Sequence, residues 1–131
     1  RNGLPLVVED RRDRWDNLIS EAIAGPPGRF NPNGWVVNAF QAALSAIVNT
    51  PLPEEEPAGH LRDALVAAVR IGDDTDTVAA IAGAFLGARW GKSVIPDEWL
   101  NFVHGDRRRG STQIRVRDLE DLVRGATQPG K

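Results

Sequence analysis

The stretch Gly72-Asp73-Asp74-Thr75-Asp76-Thr77-Val78-Ala79-Ala80-Ile81-Ala82-Gly83-Ala84-Phe85-Leu86-Gly87-Ala88 decides how this chain folds. Val78, Ile81, Ala82, Phe85 and Leu86 recur at the spacing of one helical face, and the Ala and Gly between them let neighbouring backbones come close. The pattern predicts a helix placed centrally in the fold and ended by Gly91. Just before it, three carboxylates and two hydroxyls crowd into the five positions from Asp73 to Thr77.

Working upstream, Leu61, Ala64, Leu65, Ala68 and Val69 form another stripe, closed by Gly72, a residue type that accepts positive φ just past a helix end. Thr50 to Gly59 holds three prolines and Glu54-Glu55-Glu56, which reads as an exposed and mobile connection. Val36, Val37, Phe40, Ala43, Leu44, Ile47 and Val48 predict the longest and most apolar helix. From Asp13 to Ala24 the residues Trp15, Leu18, Ile19, Ala22 and Ile23 predict a further helix, stopped by Gly25-Pro26-Pro27-Gly28. Downstream, Pro96 with Asp97 and Glu98 is a helix-start signature, and Trp99, Leu100 and Val103 should face inward. Val116, Leu119, Leu122 and Val123 suggest a last short helix. No segment shows sustained strand-like alternation. The expected fold is therefore all-α, a compact multi-helix bundle of six helices over residues 1–131.

Composition narrows the function. A chain of 131 residues with a net charge of −2 fits one domain or part of one. The near-neutral balance argues against an extended nucleic-acid surface, which needs clustered Lys and Arg. The local exception is Arg107-Arg108-Arg109, more simply a solvated loop than a pyrophosphate contact. Charged, Gly or Pro residues interrupt every apolar run before the roughly 20 residues of a membrane span, and no signal peptide opens the chain. The absence of cysteine excludes sulfur-held zinc and fits a cytoplasmic location. The absence of methionine and the irregular start at Arg1 suggest a fragment of a longer chain.

Two readings compete for the acidic turn. Capping the following helix would need one acid, whereas three crowded carboxylates repel one another unless a cation neutralises them. Oxygen donors without Cys or nearby His point to Mg²⁺, Mn²⁺ or Ca²⁺, and the spacing is not that of an EF-hand. Asp74, Asp76 and Thr77, at i, i+2 and i+3 of a helix start, can converge on one point.

The turn and the helix after it, continuing through Trp90-Gly91 and Ile95-Pro96-Asp97-Glu98-Trp99, resemble the C-terminal metal motif of ADP-ribosylglycohydrolases. Asn33-Gly34-Trp35-Val36-Val37-Asn38-Ala39-Phe40-Gln41-Ala42-Ala43-Leu44 is similar to that family's second signature helix. The resemblance implies an all-α fold whose complete site holds two Mg²⁺-type ions, with Mn²⁺ as an alternative. It implies cleavage of ADP-ribose from a modified protein side chain or small acceptor, with Asp74, Asp76 and Thr77 as metal ligands. Asp73 departs from the Gly usual at that motif position. The family's N-terminal Thr-Asp-Asp motif has no counterpart before Asn33. The chain is thus expected to be the C-terminal portion, supplying half of a metal site, with the other half in a missing N-terminal part or partner chain, and little activity alone. No catalytic residue is assigned.

Asn33, Gly34 and Trp35, at a helix entrance, are the candidate substrate-binding residues, with Trp35 able to stack on adenine or ribose. The simpler readings are a core Trp35 and an Asn33 that caps the helix. His104 and His60 lack partners at metal-ligand spacing and are read as dipole-compensating residues at helix C-termini. Asp10, Asp13 and Asp16 read as a solvated face. Two rival functions are a non-catalytic ADP-ribose-binding or protein-interaction remnant and, ranked last, a DNA-binding domain using Arg107 to Arg109.

Overall fold

The computed structural model describes residues 2–106 and 113–127, in two units over residues 1–94 and 95–131. The first unit holds four helices, α1 (Glu9–Ala24), α2 (Val36–Asn49), α3 (His60–Arg70) and α4 (Thr75–Trp90), the first three joined through short 3-10 turns and the last two by the acidic turn. The second holds α5 (Asp97–Phe102), a hairpin of β1 (His104–Asp106) and β2 (Gln113–Arg115), and α6 (Val116–Thr127). No helix among the described residues is long and apolar enough to cross a membrane.

The all-α class and all six expected helices are present, with instructive differences. α1 starts at Glu9 rather than Asp13, because Glu9 and Asp10 suit the positive end of its dipole although neither is apolar. The helix expected to be longest, α2, has 14 residues, against 16 for α1 and α4. The central place expected for α4 belongs to α2, which packs against α1, α3 and α4. The hairpin was not expected, since strands of three residues are too short to show alternation. Its register pairs His104 with Arg115, Gly105 with Ile114 and Asp106 with Gln113.

Small residues let α2 sit in the middle. Ala39, Ala42, Ala43 and Ala46 are all fully buried, as are Ala22 of α1, Ala64 and Ala68 of α3 and Ala82 of α4. Leu61 and Leu86 are the largest side chains sealed within this core. Trp15, Phe40 and Phe85 form an edge-to-face chain across α1, α2 and α4, with ring centroids 5.9 and 6.4 Å apart. A polar stripe on α2 ties down the end of α1. Gln41 donates to the Leu18 carbonyl (3.0 Å), and Ser45 (2.6 Å) and Asn49 (3.1 Å) both donate to the Gly25 carbonyl. Carbonyls at a helix end lack intrahelical partners, so this stripe satisfies a group that burial would otherwise strand.

His60 does not sit at a helix C-terminus; it opens α3 and is buried. Its Nδ1 accepts the Trp90 indole N–H at 3.4 Å, and indole nitrogen can only donate. The neutral ring therefore carries its proton on Nε2, which donates to the Ile47 carbonyl at 3.0 Å. One imidazole thus pins the start of α3 to the ends of α2 and α4. His60→Phe should lower stability by about 1–3 kcal/mol, since it strands a part-buried carbonyl and an indole N–H; urea denaturation measures this. His104 does meet its expectation, its Nδ1–H donating to the Phe102 carbonyl at the end of α5 (2.8 Å).

In the second unit no described side chain is buried on α5 or α6. Val103 is exposed, against the inward face expected for it with Trp99 and Leu100, and Phe102, Leu119, Leu122 and Val123 are exposed as well. α6 is held locally instead. Asp118 accepts the Arg115 N–H at 2.7 Å, and Arg124 pairs with Asp121 and Glu120 one turn back. Arg107 to Arg109 lie outside the described residues.

Candidate metal centre

The acidic turn joins α3 to α4 by two consecutive left-handed residues, Gly72 at φ +85° and Asp73 at φ +60°. Positive φ costs little for Gly and is tolerated by Asp better than by most residues. Gly, which the resemblance implies at the Asp73 position, would adopt this conformation at least cost. Asp74 is the N-cap residue of α4, its carbonyl accepting the Val78 N–H at 3.2 Å.

Capping does not account for all three acids. The Asp74 carboxyl faces the Thr77 N–H and hydroxyl one turn into the helix. Asp73 turns away from the helix, and its Oδ2 accepts the backbone N–H of Asn33 at 2.8 Å. Asn33 replies with its side chain, Oδ1 accepting the Asp74 N–H (2.9 Å) and Nδ2 donating to the Gly72 carbonyl (3.2 Å). Asn31 adds a bond from its Nδ2 to the Ile71 carbonyl at 2.9 Å. The loop before α2 is thus laced onto the turn before α4.

The Thr77 hydroxyl, the neighbouring Asp76 side chain and the Thr77 N–H favour the ionised Asp74 carboxyl against partial desolvation, holding its pKa below the ordinary 3.8. A depressed carboxyl contributes stability above its unfolded-state value and loses that contribution as pH falls through the native value. An NMR titration of the Asp74 carboxyl should therefore give a midpoint below 3.8 in the native chain. An acid kept charged next to a hydroxyl and a second acid is a group prepared for a cation.

The three expected metal ligands, Asp74, Asp76 and Thr77, lie together in the first turn of α4 and just before it. Among the described residues no group of three or more His, Cys, Asp or Glu side chains is arranged to hold a metal ion, so the turn offers two carboxylates and a hydroxyl. Of the three candidate substrate-binding residues, Gly34 and Trp35 are exposed, Trp35 by 56%, so Trp35 is not a core residue. Asn33 is fully buried with both ends of its amide engaged by the turn. It is not the helix cap either, for Trp35 holds that position in α2. The bracing role of Asn31 and Asn33 escaped the sequence reading because their partners lie about forty positions away, with no local signal.

Comparison with known proteins bears on the chain as a whole. Residues 4–129 match the family description ADP-ribosylglycohydrolase. The ADP-ribosylarginine hydrolase Tri1 of Serratia proteamaculans (strain 568) is 38% identical over 69 residues, covering 53% of this chain and 17% of that protein. The ADP-ribosylhydrolase ARH3 of Bos taurus is 40% identical over 96 residues (69% of this chain, 25% of that protein), and human ARH3 is 38% identical over 75 residues (53% and 21%). The chain thus spans a quarter or less of the length of these relatives. No solved structure matches it. With the family description covering nearly the whole sequence, the chain belongs to the ADP-ribosylglycohydrolase family.

Proposed function

We propose that this chain contributes one half of the divalent-metal site of a hydrolase that removes ADP-ribose from a modified protein side chain or small acceptor. The observation that carries the reading is the start of α4, where the carboxylates of Asp74 and Asp76 and the hydroxyl of Thr77 are gathered together. Hard oxygen donors suit Mg²⁺ or Mn²⁺, so the residues present fit the group the family implies. Three side chains cannot complete two octahedral shells, so the remaining ligands come from an N-terminal family segment or a partner chain. When bound, such a pair of ions supplies Lewis acidity and orientation for the ribose hydroxyls.

The chain's own residues have simpler tasks. Asp74 stays ionised to low pH and keeps its charge available. Trp35, exposed where the loop enters α2, offers a flat surface on which an adenine or ribose ring can stack. The absence of cysteine suits work in a reducing cytoplasm.

The decisive test is hydrolysis of an ADP-ribosylated arginine peptide by this chain together with the N-terminal segment of a relative, with and without Mg²⁺. ADP-ribose release that chelation stops, and that Asp74→Asn lacks, is the expected result. ADP-ribose binding without turnover would instead identify a non-catalytic remnant of the fold.

A further inference from the structure

The half-site reading employs Asp74, Asp76 and Thr77 but gives no task to a fully buried amide, Asn33, or to the third acid of the turn, Asp73. We propose that Asn33 and Asp73 are positioning residues that hold the turn in the backbone shape presenting Asp74 and Asp76 to a cation, and that Asp73 is not itself a ligand. This inference rests on the half-site reading.

Asn33 makes three hydrogen bonds to three consecutive residues of the turn: Nδ2–H to the Gly72 carbonyl, N–H to the Asp73 carboxylate, and Oδ1 from the Asp74 N–H. No other residue could satisfy all of them without a short side chain carrying both a donor and an acceptor. Burial raises the stakes, because each lost partner would leave a polar group away from water. The bonds also require Gly72 and Asp73 to remain left-handed, since that double reversal brings the Gly72 carbonyl and the Asp74 N–H to the same side. Asp73 meets this demand in two ways. Its short polar side chain tolerates positive φ, and its carboxylate, turned toward the Asn33 N–H, locks the conformation it tolerates. A carboxylate committed to that N–H points into the brace rather than toward Asp76.

Isothermal titration of Mn²⁺ into the full chain and four variants, each first shown to be helical by circular dichroism, tests this. Asn33→Ala should weaken binding on the order of tenfold to a hundredfold, the usual effect of removing a group that orients metal ligands. Asp73→Asn should keep the wild-type affinity, since its amide oxygen can accept the same N–H and Asn tolerates the same φ. Asp73→Val, which can do neither, should fall with Asn33→Ala, and Asp74→Asn should lose binding altogether. Amide hydrogen exchange at Asp74 reads the brace without metal: protected in the wild type and in Asp73→Asn, open in Asn33→Ala while the rest of α4 stays protected. Should Asn33→Ala fail to fold, the contrast between Asp73→Asn and Asp73→Val decides the matter. Unchanged affinity in Asn33→Ala or Asp73→Val, or an Asp73→Asn that loses as much as Asp74→Asn, overturns the positioning role and leaves the half-site standing. A wild type that binds no cation overturns the half-site, and the positioning role with it, even where exchange shows the brace formed.

Discussion

Asp76→Ala should cost the chain its affinity for Mg²⁺ and Mn²⁺, by on the order of a hundredfold or more since a direct ligand outweighs its supporting groups, while leaving its helical circular dichroism unchanged. Asp76 is exposed in the first turn of α4, where an acid contributes only about 0.3–1 kcal/mol through the helix dipole. Its removal therefore separates the two readings of the turn. A capping acid would leave metal binding where it was and shave a little stability. A ligand would abolish the binding signal in calorimetry. Asp74→Ala should lose the binding as well, with a further stability cost of about 0.5–2 kcal/mol because Asp74 is the N-cap residue of α4. Identical titration curves for wild type and both variants would reduce the turn to a helix start.

Leu86→Ala should be among the most damaging changes to the first unit, costing about 3 kcal/mol within the range of 2–5 found for buried Leu. Leu86 is 1% exposed on the face of α4 that also buries Val78 and Ala82. The buried core of this unit is built largely of alanine, which has no longer side chain to swing into a gap, so the cavity should persist rather than collapse. For a unit of this size the change should lower the melting temperature by roughly 12–24 °C. The adjacent Phe85 is half exposed, and Phe85→Ala should cost less despite removing a larger ring. Thermal denaturation of the pair measures the contrast; equal losses would mean that the face of α4 is assigned incorrectly.

The helices were legible because apolar spacing is a local signal: Val78, Ala82 and Leu86 sit in the sequence as they sit in the core. The acidic turn was legible because its charges are adjacent. What stayed hidden depends on distant partners or on sites where the local rule gives way. His60 looks like a helix-terminal cation until Trp90 and the Ile47 carbonyl are beside it. Asn33 has the residue type and place of a cap, yet the turn some forty positions on draws it inward. Asp73 looked like one more carboxylate because φ is not written in a sequence. The stripe of α6 was read correctly as a pattern, but Leu119, Leu122 and Val123 remain exposed.

The alanine-built centre has a consequence for how this chain can change over generations. Where a core is made of Leu and Phe, a residue can shrink or be traded for another of like bulk. At Ala39, Ala42, Ala43 and Ala46 the only smaller option is Gly, which weakens the helix, and every larger one wedges apart helices already in contact. Drift at these positions is blocked in both directions. The acidic turn is hung between two helices whose separation can hardly vary, and its inheritance is protected by residues that take no part in chemistry.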